Sequence, residues 1–141
     1  MIAIKDNHYN VGSYCNDPTF CPPAPEGPYF ITKLHADLSV RWQFQSANTL
    51  SCHRNPDGTL TCVDDHPGGF EWCTNALTTD GAGTTYANSE DGNLYAILND
   101  GTERDHIFQQ LALGAAYTPM TVGGNGLIYS QNDGHLFVVG H

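Results

Sequence analysis

The sequence predicts an all-β protein of about three four-stranded β-propeller blades, the last lacking its outer strand. Two observations carry this. Ala76-Leu-Thr-Thr-Asp-Gly-Ala-Gly-Thr-Thr-Tyr86 matches Pro119-Met-Thr-Val-Gly-Gly-Asn-Gly-Leu-Ile-Tyr129 without a gap, and Glu90-Asp-Gly-Asn-Leu-Tyr95 then matches Asn132-Asp-Gly-His-Leu-Phe137. The period of 42 to 43 residues suits a blade of four short strands. Composition agrees: in 141 residues, 40% are apolar and there are 15 Gly and 8 Pro, as turn-rich β proteins require. A blade cannot bury its two faces alone and a propeller hides its edges by closing. Three blades do not close, so a homodimer completing a six-bladed ring is expected, with the ends of one chain packing on the ends of the other.

Blade 1 is expected at about residues 1–44. Its strands A to D fall at 2–4, 8–13, 28–34 and 40–44, with Tyr9 in the place of Tyr86 and Tyr129. An insertion follows at 45–72, polar and rich in Gly and Pro, read as a capping excursion or a functional loop. Blade 2 covers about 73–110, with strands at 75–79, 84–88, 93–98 and 104–108. Asp80-Gly, Asp91-Gly and Asp100-Gly supply tight turns between them, because glycine accepts positive φ. Blade 3 covers about 111–141, with 111–117 as a connector and strands at 118–122, 127–131 and 135–139.

Charge and cysteines narrow the setting. Five basic against 15 acidic residues give a net charge of −10, which repels nucleic acid and anionic membrane surfaces. No apolar run reaches the roughly 18 residues that span a bilayer. The cysteines stand at 15, 21, 52, 62 and 73, none in a CxxC pair. Cys15 with Cys21 and Cys52 with Cys62 read as disulfide-closed loops, the second around a Pro56-Asp-Gly turn, while Cys73 is left over. Local disulfides imply an oxidising compartment, periplasmic or secreted, and with no export signal the chain is expected to be a piece of a longer exported protein.

The pattern Gly-x-x-Tyr-x-x-(Ser/Asn)-x-Asp-Gly-x-Leu-(Tyr/Phe)-x-(Ile/Val), with a turn leading into Trp42 or His106, resembles the PQQ-like β-propeller repeat. The resemblance covers about 1–44 and 73–141. The family includes quinoprotein dehydrogenases and scaffold lipoproteins of outer-membrane assembly, so it implies a fold and leaves the function open. This chain has no vicinal cysteine pair to stack on the quinone, and the strand-D tryptophan survives only as Trp42. PQQ as a cofactor is therefore not expected.

Propeller ligands sit where the inner strands converge, and the loops on that face are acidic here. The ligand-face candidates are Asp17, Glu71, Glu90, Asp91 and Asp133, with turn chemistry the simpler role for Asp91 and Asp133, each of which precedes a glycine. Asp64, Asp65 and His66, with His53 across the cysteine-closed loop, offer oxygen and nitrogen ligands to a divalent cation such as Zn or Ca, although their spacing matches no fixed ligand motif. Two functions follow. One is an extracytoplasmic ligand-binding or scaffold module that assembles into a ring. The alternative is a metal-dependent hydrolase of esters, lactones or phosphotriesters in the channel, in which the cation activates water.

Overall fold

The structure, a computed structural model, describes residues 2–5, 27–72, 77–109, 119–132 and 134–140. These residues form twelve strands and no helix. Sheet I contains β1 (Ile2–Lys5), β2 (Phe30–Leu34) and β3 (Val40–Gln45) in that order. A separate hairpin pairs β4 (Leu50–Arg54) with β5 (Leu60–Asp64). Sheet II is the meander β6 (Thr78–Thr79), β7 (Thr85–Asn88), β8 (Asn93–Ile97) and β9 (Glu103–Phe108). Sheet III is β10 (Thr121–Val122), β11 (Ile128–Asn132) and β12 (His135–Val139). Every pairing is antiparallel.

Sheet II follows the expected strand order, and its turns show why. Asp80, Ser89 and Leu98 each donate a backbone N–H to the carbonyl four residues on, at 3.0, 3.0 and 2.8 Å. The residue before that carbonyl is Gly83, Gly92 or Gly101, at φ of 90°, 87° and 92°. A type I turn followed by a left-handed residue makes this three-residue connection, and glycine takes that position without strain. In sheet III the matching connection is shorter, because Asn132 pairs directly with His135. The slip of the repeat from 43 to 42 residues is this change of turn.

Sheet I departs from expectation. β1 pairs directly with β2, Ile2 opposite Leu34 and Ile4 opposite Thr32, so the first strand takes the second position and leaves no place for another between them. The segment 8–13, Tyr9, Cys15, Asp17, Cys21, Cys73, the connector 111–117 and Asp133 lie outside the described residues. The insertion also differs: β4 and β5 make it a hairpin. Cys52 and Cys62 are directly opposite on its two strands, 4.1 Å apart at Cα, and form the expected disulfide. That distance suits a non-hydrogen-bonded antiparallel pair, where side chains approach most closely.

The three sheets stack face to face. Tyr29, Ile31 and Trp42 from sheet I and its flank bury against Ala87, Tyr95 and Ile97 of sheet II. On the other side of sheet II, Tyr86 and Leu94 bury against Met120 and Ile128. Alternation along β7 and β8 thus sends successive side chains to opposite neighbours. Trp72, fully buried where the insertion returns, packs with Phe44 and Tyr95 at ring distances of 5.9 and 5.3 Å. Trp42 docks on the turn of the next sheet: its Nε1 donates to Asn99 O at 3.2 Å, and a Cβ on Gly101 would lie 2.8 Å from its ring. Lys33 is buried beside it, donating to Gly83 O and, at 3.3 Å, to Thr85 Oγ1. Burial, then Arg41, holds its ammonium pKa below the ordinary lysine value.

Candidate ligand site

A cavity of about 670 Å³ lies between the disulfide hairpin, the end of β3 and the outer strand β9. That volume falls within the usual range for small-molecule sites. Its floor is built on Asp91, the residue expected in a turn. Oδ1 accepts the N–H of Asn93 at 2.8 Å, which is turn chemistry. Oδ2, however, accepts Tyr95 OH at 2.6 Å and Asn48 Nδ2 at 2.9 Å, so this fully buried carboxylate ties sheet II to the insertion. Burial, then the charge of Asp91, pushes the Tyr95 phenol up, which keeps it a donor.

The walls carry the remaining polar groups. On β9, Glu103 Oε1 lies 2.7 Å from His106 Nδ1, and the His106 ring lies 5.5 Å from that of Tyr95. On the hairpin, alternation turns Leu50, Cys52 and Arg54 to the cavity. The Arg54 guanidinium lies 5.6 Å from the Phe108 ring and donates to Gly58 O at 3.2 Å. Among the described residues the His106–Glu103 contact at the wall and the His66–Asp65 contact outside it both leave Arg54 out.

The four residues expected to bind a metal are not brought together. His53 and Asp64 stand an odd number of register steps apart on the hairpin, so they project from opposite faces. Asp65 and His66 follow β5 and turn back on Ser51, whose hydroxyl contacts Asp65 Oδ1 and lies 3.2 Å from His66 Nδ1. The hydroxyl of Ser51, then the His66 imidazole, holds the Asp65 carboxyl below its ordinary range. His66 Nδ1 also contacts Asp65 Oδ1 at 2.7 Å, and its ring stacks on Phe70 at 3.8 Å. Serine and aspartate thus share one ring nitrogen, unlike a catalytic triad, where they take opposite nitrogens. Among the described residues no three His, Cys, Asp or Glu side chains are placed to hold a metal ion.

The acidic loops are knitted together instead. Glu71 O accepts Glu90 N at 3.0 Å and Ser89 Oγ at 3.3 Å, fixing the turn of sheet II to the returning insertion. Sequence reasoning missed Asn48, Arg54, Tyr95, Glu103 and His106. The resemblance set His106 in the place of Trp42, but counted from the bulge of each sheet Trp42 opposite Lys33 corresponds to Asp105 opposite Ala96, while His106 opposite Tyr95 corresponds to Gln43 opposite Thr32. No protein-family model matches the chain, and no curated protein is significantly similar to it.

Proposed function

We propose that the chain is a ligand-binding or scaffold module of PQQ-like propeller type, acting outside the cytoplasm, in which two copies close a ring of six blades. The observation that carries this is the state of the two end faces of the stack. In sheet I, Ile31 faces sheet II, so Ile2 and Ile4, paired with Leu34 and Thr32, face away. They are 52% and 48% exposed. In sheet III, Ile128 faces sheet II, so Leu136 and Val138 face away, 61% and 53% exposed. Among the described residues the apolar clusters of the inner faces pack on a neighbouring sheet, whereas no described sheet covers these four apolar side chains of the outer faces. The disulfide supports an oxidising setting.

The two end faces differ, so one copy's sheet III meets the other's sheet I twice, once at each seam of a two-fold dimer. Sedimentation velocity on the native chain, Leu136→Glu and Ile4→Glu tests this. The native chain is expected to sediment as a dimer and each variant as a folded monomer, because a carboxylate in a desolvated seam is strongly disfavoured. Variants that sediment like the native chain would refute the seam. No observation favours a metal-dependent hydrolase, since the expected ligand set does not converge.

A further inference from the structure

The cavity beneath the disulfide hairpin is polarised along β9. Arg54 lies against Phe108 at the C-terminal end of that strand, while Glu103 starts from its other end and reaches along it to contact His106, two residues before Phe108. At about 3.3 Å per residue, His106 and Phe108 stand roughly 7 Å apart along the strand. Between them the lining is aromatic and aliphatic, with Phe44 and Tyr95 on the sheets and Leu50 and Leu60 on the hairpin. The polar atoms of that floor are engaged: Tyr95 OH and Asn48 Nδ2 donate to Asp91, and Asn48 Oδ1 accepts Leu50 N at 3.1 Å. A ligand therefore meets apolar surface in the middle and a guanidinium at one end.

We propose that this cavity binds small carboxylic acids with an aromatic body, the Arg54 guanidinium pairing with the carboxylate. A guanidinium offers five donors in a planar fork and recognises a carboxylate through two of them, and among the described residues one Arg54 contact, to Gly58 O, uses a donor. The aromatic body rests on Phe44 and Tyr95 and displaces water from them. Glu103, held against His106, repels the carboxylate and so favours its placement at Arg54. On a chain of net charge −10 the long-range field opposes any anion, so the charge of Arg54 and the apolar contact are both needed.

Calorimetric titration of the disulfide-intact chain with phenylacetate and with phenylacetamide, which keeps the shape and drops the charge, tests the assignment. Phenylacetate is expected to saturate at one per chain, and phenylacetamide to bind at least about tenfold more weakly. Arg54→Gln is expected to abolish that preference, and Arg54→Lys, which keeps the charge without the fork, to retain part of it. Absence of saturable phenylacetate binding, equal affinity for the amide, or a preference that survives Arg54→Gln would overturn the proposal. Stoichiometry is counted per chain, so the result is independent of whether the ring closes.

Discussion

Single residues in this molecule are defined by what their polar atoms accept. Asp91→Ala would leave Tyr95 OH and Asn48 Nδ2 facing a buried site without their acceptor, a loss of about 3 kcal/mol in the unfolding free energy. Urea titration followed by tryptophan fluorescence measures it, with Trp42 and Trp72 both in the affected core. Surface turn residues answer to pH instead. Hydrogen bonds from the hydroxyls, then the backbone, of Ser39, Thr59 and Thr102 hold the carboxyls of Asp37, Asp57 and Asp100 below their ordinary value of 3.8. A carboxylate depressed on folding stabilises above its unfolded pKa, and that contribution disappears as pH falls through the folded value. Urea midpoints are therefore expected to be level near neutrality and to decline below about pH 4. A midpoint that rose on acidification would contradict this account of the turns.

At the scale of elements, what was legible in the sequence was what repeats. Asp91-Gly92 and Asp100-Gly101 punctuate sheet II because the turn demands a left-handed residue after a side chain that can cap it, so β7, β8 and β9 fell close to where they were expected. Of the hairpin, the Pro56-Asp-Gly turn and the Cys52–Cys62 link were legible but the strands were not, because Leu50, Leu60 and Val63 remain exposed and no buried alternation marks β4 and β5. In sheet I the short apolar run at residues 2–4 fits either of two strand positions, and only pairing with β2 chooses. The cavity was hidden for a different reason: Arg54 and His106 are far apart in the chain and become neighbours only once the hairpin folds over β9. The docking of Trp42 on sheet II gives a test at this scale. Gly101 and Gly58 share positive φ, 92° and 88°, but a Cβ on Gly101 meets Trp42 while one on Gly58 meets nothing within 4 Å. Gly58→Ala is expected to cost about 1 kcal/mol for the backbone alone. Gly101→Ala should cost about 3 kcal/mol, since the indole must also leave its place. Equal losses in urea titration would show that Trp42 does not latch the two sheets.

Over the described residues, three sheets pack their inner faces on one another and leave exposed apolar side chains at each end. Exposed Ile2 and Ile4 at one end and Leu136 and Val138 at the other lie on surfaces that the stack itself shows how to cover, with another sheet. A second copy would supply one of each kind, and the proposed ring of six sheets would leave neither face in water. The central claim is therefore about mass. Light scattering on the size-exclusion peak of the native chain, at micromolar concentration and with the disulfide intact, is predicted to give twice the chain mass of 15.3 kDa. A monodisperse peak at the mass of one chain would contradict the account of how its end faces are hidden.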